Sequence, residues 1–197
     1  MAFGSKYSRG VGTALGTWFL NSKKKISRTT DAFTNQIEFV VGDFIVSGEQ
    51  DFNGDFFVTK DKSLLYSKQS SGDYSVLLGG NWRFELIVDS STGLCVKVQC
   101  FLDELSVKYT ALEIPQSQRK NIYVISNELL SPGCGCHYFP FEDIAFWDHK
   151  KHLLCIGNPY SGGQAVEFTN KTIAIIEDGK LICVYLSLNS ILGDIGF

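Results

Sequence analysis

The chain has 197 residues, 44% of them hydrophobic and 20% charged, which is the composition of one globular domain with its own core and too short for two ordinary domains. With 15 Phe, 8 Tyr and 19 Gly against a single Met, the composition favours strands and turns over long amphipathic helices. The net charge of −3 is too small to indicate a nucleic acid or any other strongly charged partner.

The charge is unevenly distributed along the chain. Residues 1–30 hold six of the 18 basic residues and no acidic residue, so the remainder has 12 basic against all 21 acidic residues, a balance of −9. We predict a basic N-terminal arm or short helix over 1–30, followed by a single β-rich domain over 31–197. Because Trp18 and Phe19 lie just before a lysine run, the arm is also a candidate membrane-surface anchor, the alternative being a helix docked on the domain's own core.

The cysteine content bears on the compartment. Six cysteines would suit a disulfide framework only in a secreted chain. The one candidate signal, Gly10–Leu20, is rich in glycine and is followed by lysines where a small-residue cleavage site is expected. It is also much shorter than the roughly 20 apolar residues that span a bilayer. These features predict a cytoplasmic protein with reduced thiols.

The first strands are predicted soon after residue 31. Gln36–Ile45 and Phe56–Tyr66 are rich in Val, Ile, Phe and Tyr and are interrupted by turn-forming residues. Between them, Asp51–Asp55 has the first ligand spacings of an EF-hand loop, but Phe56 stands where that loop needs glycine and Lys62 where it needs glutamate. We interpret this segment as a turn.

Trp82–Leu102 has the pattern of a β-hairpin. Asp89–Gly93 supplies the turn, with glycine at the position that needs a positive φ. Strict alternation along the second strand predicts that Cys100 faces the core and Cys95 the opposite, wetter face. Two cysteines on opposite faces cannot readily share a disulfide or a metal ion.

The second half of the chain predicts further hairpins. Asp103–Leu130 allows one short helix, whereas Asp143–Ile156 and Thr172–Leu188 each contain two strands around a turn, the second with Asp-Gly, a strong turn signal. We predict a mainly β fold, an antiparallel β-sandwich or barrel of several hairpins with one or two short helices.

Ser131–Ile156 contains the chain's only concentration of metal-binding side chains. All three histidines and three of the six cysteines lie in it. Thiolates and imidazoles are the ligands of structural zinc sites, although Cys-x-Cys is not the usual spacing. Strand alternation would separate His152 from Cys155, so one site has to combine a loop, a turn and a strand. The predicted zinc ligands are Cys134, Cys136, His149 and Cys155.

Other interpretations of the cluster remain open. Cys134 or Cys136 could be a nucleophile activated by a histidine, or the cluster could be purely structural. No phosphate-binding loop, nucleophile elbow, zinc-protease motif or dinucleotide fingerprint is present, so the pattern favours a protein without catalytic activity. Because the strand-rich body is acidic, a nucleic-acid partner is not expected either. Tyr138, Phe139 and Tyr160 are candidates for an exposed contact patch.

The predicted function is a non-catalytic, cytoplasmic protein-binding module. An acidic body suits a basic partner, since charge complementarity speeds encounter and sets specificity. In general character this compact, acidic, motif-poor β domain resembles bacterial immunity proteins, which neutralise a toxin by covering its site. No motif carries that resemblance, and it assigns no family. The alternatives are the zinc-binding module and the membrane-surface protein anchored by residues 1–30.

Overall fold

The mainly β fold is confirmed. The computed structural model describes residues 37–43, 56–58, 64–67, 72–80, 84–101, 107–142, 144–159 and 162–188, and every regular element within them is a strand. No helix long and apolar enough to cross a membrane is found in these ranges. The predicted N-terminal arm, the turn at 51–55 and Tyr160 lie outside the described residues.

Fifteen described strands form three sheets. Their bounds are β1 (Ile37–Gly42), β2 (Phe56–Val58), β3 (Leu64–Ser67), β4 (Tyr74–Leu78), β5 (Phe84–Val88), β6 (Cys95–Phe101), β7 (Val107–Tyr109), β8 (Gln118–Arg119), β9 (Asn121–Ser126), β10 (Gly135–Tyr138), β11 (Ala145–Asp148), β12 (Leu153–Gly157), β13 (Gln164–Thr169), β14 (Thr172–Glu177) and β15 (Lys180–Ser187). β1 and β9 form a two-stranded sheet, a six-stranded sheet has the order β10-β4-β5-β6-β3-β2, and a seven-stranded sheet has the order β7-β11-β12-β15-β14-β13-β8.

The three hairpins predicted from turn residues are present. β5–β6, β11–β12 and β14–β15 are each antiparallel pairs of strands adjacent in sequence. In the β5–β6 turn, the Asp89 carboxylate accepts hydrogen bonds from the N–H groups of Ser91 and Thr92 at 2.9 and 3.1 Å, and Gly93 has the expected positive φ of 75°. Hydrogen bonding, above all from the Ser91 side chain, lowers the pKa of Asp89.

Three strand pairs are parallel. β10 pairs with β4, β11 with β7, and β13 with β8, and each joins strands that are not neighbours in sequence. The antiparallel prediction therefore holds for the hairpins but not for these three pairs. Turn residues and alternation report only local connections, so they carry no information about which distant strand completes a sheet.

The short helix allowed between Asp103 and Leu130 is absent from residues 107–130. This stretch forms β7, β8 and β9 with irregular chain between β7 and β8. The polar residues around Gln118 form β8, which pairs with β13, and the following strand β9 pairs with β1. Pairing with distant strands thus overrides the weak local helix signal.

One hydrophobic cluster draws side chains from all three sheets. Phe39 of the two-stranded sheet, Phe84 of the six-stranded sheet and Trp147 of the seven-stranded sheet all belong to it and are at most 2% exposed. A second, smaller cluster contains Leu153 and Cys155 of β12, whereas Leu154 of the same strand faces the first cluster. β12 is therefore buried on both faces, which explains its nearly continuous apolar sequence.

The prediction that Cys95 faces the wetter side is wrong. Cys95 is 1% exposed and lies in the same cluster as Cys100. The register between β5 and β6 shifts after Ile87, which pairs with Lys97, so that Val88 pairs with Cys95. This bulge adds one residue to β6 and restores Cys95 to the core face, a change that strict alternation cannot anticipate.

Candidate functional site

The four predicted zinc ligands lie on different elements. Cys134 is exposed just before β10, and Cys136 is buried on β10 in the six-stranded sheet. His149 lies in the β11–β12 turn, and Cys155 is buried on β12 in the seven-stranded sheet. Within the described part of the chain, no three His, Cys, Asp or Glu side chains are grouped so that they could hold one metal ion.

Cys155 has different neighbours from those the zinc hypothesis requires. Its thiol lies beside Cys183 and Tyr185 of β15 in the second hydrophobic cluster. Hydrogen bonding with Cys183, followed by burial, raises the pKa of Cys155 above its ordinary value. A raised pKa keeps the thiol protonated, whereas nucleophilic attack needs the thiolate.

The aromatic residues proposed as a contact patch are divided between core and surface. Tyr138 is 4% exposed and packs edge-on against Phe39, with ring centroids 5.0 Å apart. Phe139 is 69% exposed, and its ring stacks on His137 at 5.4 Å. Burial lowers the pKa of His137. Of the two, only Phe139 is available at the surface.

We predict that Cys134 is the one thiol that reacts rapidly with a water-soluble disulfide reagent in the native protein. The other five are buried, and burial raises the pKa values of Cys95 and Cys136 further. Stopped-flow thiol titration should show one fast phase, absent in Cys134→Ser, and five thiols that react only in denaturant. The five are Cys95, Cys100, Cys136, Cys155 and Cys183.

The same titration tests the zinc prediction. A zinc site that includes Cys134 would protect this thiol until a chelator is added, and native mass spectrometry would then show one zinc ion per chain that Cys134→Ser abolishes. Protection of that kind would contradict the expectation of a freely reactive Cys134. The zinc site stays a prediction until this experiment is done.

Described residues of the β-rich body line an acidic groove of about 480 Å³. It lies between β1 and the β14–β15 hairpin, and residues at the start of β13 also line it. Three exposed carboxylates, those of Glu38, Glu177 and Asp178, line it, and none of the described residues in its lining is a lysine or arginine. We call this recess the acidic groove. The lining residues are Glu38, Phe39, Val40, Val41, Gly163, Gln164, Ile176, Glu177, Asp178 and Gly179.

The hairpin turn positions one side of the acidic groove. Asp178 and Gly179 have φ values of 49° and 71°, the two positive values of a type I′ turn. The Phe39 N–H donates to the Gly179 carbonyl at 2.8 Å, which ties β1 to the hairpin tip. A Cβ on Gly179 would lie 2.7 Å from Cγ of Glu38, so glycine permits this close approach.

Backbone contacts also form the opposite side. Gly163, just before β13, has a φ of 124°, and a Cβ there would lie 2.8 Å from the carbonyl oxygen of Ile176. The start of β13 therefore lies against the end of β14 with no room for a side chain between them. Because backbone rather than long side chains defines both sides, the acidic groove exists before any ligand binds.

Basic residues of the described chain offset part of the charge around the acidic groove without entering its lining. Arg119 Nε lies 3.1 Å from a carboxylate oxygen of Glu167, and Lys120 Nζ lies 3.5 Å from one of Asp43, so both interact with carboxylates that are not part of the lining. Lys180 stands opposite Glu177 in the hairpin register and is exposed outside the lining. The three lining carboxylates thus produce a local negative potential that attracts cationic groups.

Sequence reasoning did not identify the acidic groove. The Asp-Gly turn and the acidic character of the body were both predicted, and they supply two of its three carboxylates. Glu38 lies about 140 residues earlier in the sequence, and only the Phe39–Gly179 hydrogen bond brings it to the turn. No family model and no curated protein matches the sequence, so the site's interpretation rests on its geometry.

Proposed function

We propose that the protein is a non-catalytic binding module that captures a basic segment of another protein in the acidic groove. The observation that carries this proposal is the set of three exposed carboxylates, Glu38, Glu177 and Asp178, around a recess whose described lining holds no basic residue. By covering a basic surface that its partner needs, such a module acts as an inhibitor, in the manner of immunity-type proteins.

The small free energy of exposed ion pairs limits how much binding affinity the acidic groove contributes. One exposed ion pair is worth about 0.2–1 kcal/mol, so three pairs with lysine or arginine supply modest affinity. Their larger effect is to steer encounter and to reject acidic partners. Backbone contacts and apolar contacts with the half-buried Val40 and Val41 of the lining have to supply the remainder.

We also propose a reducing compartment, the cytoplasm. None of the six cysteines forms a disulfide, and five of them are buried in the β-rich body as small apolar side chains. This pattern supports thiols used for packing rather than for covalent cross-links, as is usual for cytoplasmic proteins.

Neutralising the acidic groove should weaken binding of a basic peptide about tenfold. The test variant combines Glu38→Gln, Glu177→Gln and Asp178→Asn, and the last of these keeps a residue type that tolerates positive φ. The probe is a synthetic peptide that alternates lysine and threonine, and fluorescence anisotropy gives its Kd. Loss of three ion pairs of about 0.2–1 kcal/mol each corresponds to this change.

A matched control separates the acidic groove from net charge. Glu113, Glu128 and Glu142 are exposed and lie outside the groove lining, so changing all three to Gln removes the same charge elsewhere. We expect this control to bind the peptide nearly as tightly as the unmodified protein, with binding that weakens as salt is raised. Equal losses in the two triple variants would show that only net charge matters and would overturn the acidic groove as the site.

A further inference from the structure

The outer edge of β1 borders the acidic groove. In an antiparallel pair, the N–H and C=O groups of alternate residues point toward the partner strand and away from it. Phe39 N–H bonds to Gly179, not to β9, and Val124 N–H, opposite it in the register, bonds to Gly93. Phe39 and Val124 therefore form a pair whose backbone groups point outward, away from each other.

The same alternation places the backbone groups of Val41 outward. Val41 is two residues beyond Phe39 in β1, so its N–H also points away from β9 and toward the acidic groove that it lines. Among the residues that the structure describes, no hydrogen bond to this N–H is found. Within the described chain, β1 thus presents one outward N–H without a backbone partner, that of Val41, beside the Phe39 N–H that already bonds to Gly179.

We propose that the basic segment binds as an added β-strand, hydrogen-bonded to the outer edge of β1. This inference rests on the proposed function and specifies the form of the partner: an extended segment with basic side chains at alternate positions. The outward Val41 N–H, which has no backbone partner among the described residues, supplies backbone pairing, and the carboxylates supply selectivity for lysine or arginine. Strand addition of this kind obtains affinity from the main chain and specificity from alternate side chains.

The side-chain pattern of β1 indicates which positions of the segment are basic. Glu38 is exposed, whereas Phe39 is buried, so the two faces of β1 differ in polarity. Residues of an added strand alternate in the same way. Those on the Glu38 face share that face with a lining carboxylate, and those on the other face lie on the side of Phe39 and Val41. The best partner therefore alternates basic with small or apolar residues.

The lining charge also disfavours pairing between two copies of this chain. An open strand edge is a site for edge-to-edge association unless charge or cover protects it. A second β1 edge would bring its own Glu38 against the same carboxylates, and like charges across a strand pair are destabilising. The edge is thus selective for a basic strand over a second copy of itself.

Val41→Pro tests the backbone contribution. Proline removes the outward N–H, and because this group does not bond to β9, the β1–β9 ladder is retained, as proline is tolerated at strand edges. The matched control is Val41→Ala, which loses the same side chain but keeps the N–H. We expect Val41→Pro to bind the alternating lysine–threonine peptide at least about tenfold more weakly than Val41→Ala.

A second comparison needs no variant of the protein. The same peptide methylated on alternate backbone nitrogens keeps its charge but cannot pair as a strand, so it should bind the unmodified protein at least about tenfold more weakly. In NMR amide exchange, the Val41 N–H should become protected when the unmethylated peptide binds. These readouts keep the inference testable even if Val41→Pro reduces folding.

The outcomes separate strand addition from the proposed function. If the methylated peptide binds as tightly as the parent and Val41 N–H exchange is unchanged, strand addition is overturned, while charge-dependent binding in the acidic groove still stands. If the unmodified protein binds neither peptide at low salt, both proposals fail. Weaker binding of the methylated peptide together with protection of Val41 supports both.

Discussion

Replacing Trp147 by alanine should lower the free energy of unfolding by about 3–5 kcal/mol, the usual effect of truncating a buried large aromatic residue. Trp147 is 2% exposed and is among the largest fully enclosed side chains described. It lies on β11 in the cluster to which all three sheets contribute, so its loss leaves a cavity where the sheets meet. Chemical denaturation followed by circular dichroism measures the change.

Phe139→Ala is the matched control for Trp147→Ala. Phe139 is also a large aromatic residue, but it is 69% exposed, and its ring stacks on that of His137. We expect a change within about 0.5 kcal/mol, as for most surface substitutions. Similar losses for the two variants would contradict the burial that the structure assigns to Trp147.

Replacing Gly157 by alanine should destabilise the protein by about 3 kcal/mol. Gly157 ends β12 with a φ of 98°, and a Cβ there would lie 2.8 Å from the Cα of Cys183 and still closer to the carbonyl oxygen of Ile182. A side chain therefore meets both an unfavourable backbone conformation, worth about 1–2 kcal/mol, and a clash with β15 backbone that cannot rotate away. Thermal and denaturant unfolding measure the loss.

Two other glycines separate these contributions. Gly133 has a φ of 74° with nothing within 4 Å of its Cβ position, and Gly80 has open space without a positive φ. Gly133→Ala should therefore cost only the conformational term of about 1–2 kcal/mol, and Gly80→Ala should be close to neutral. If Gly133→Ala were as costly as Gly157→Ala, the clash with β15 would contribute nothing.

Local patterns were reliable where structure is made by residues close in sequence. Asp178–Gly179 predicted a two-residue turn because a type I′ turn needs positive φ at both positions, and both have it. Asp89–Gly93 predicted a turn, and in the structure the Asp89 carboxylate accepts hydrogen bonds from the N–H groups of Ser91 and Thr92. Alternation along β12 also predicts that Leu153 and Cys155 share one face of the strand and that Leu154 lies on the other, as the structure shows.

Errors arose where distant strands decide local geometry. Cys95 was assigned to the wrong face because a bulge opposite Val88 adds one residue to β6, and nothing in the β6 sequence marks it. The short helix allowed between Asp103 and Leu130 does not form within residues 107–130, because pairing of β8 and β9 with distant strands outweighs the local helix propensity. The zinc site at Cys134, Cys136, His149 and Cys155 stays a prediction, and Cys136 and Cys155 lie on strands of two different sheets because consecutive strands can belong to different sheets.

By itself, the sequence determined the β class, the hairpin turns, the acidic character of the body and the absence of known catalytic motifs. These properties depend on composition and on interactions between neighbouring residues. Only the tertiary structure decided that Glu38 and Val41 line the same acidic groove as Glu177 and Asp178, with the N–H of Val41 directed away from β9. Such a site is made by long-range pairing, which depends on the whole core and leaves no local signal in any one strand.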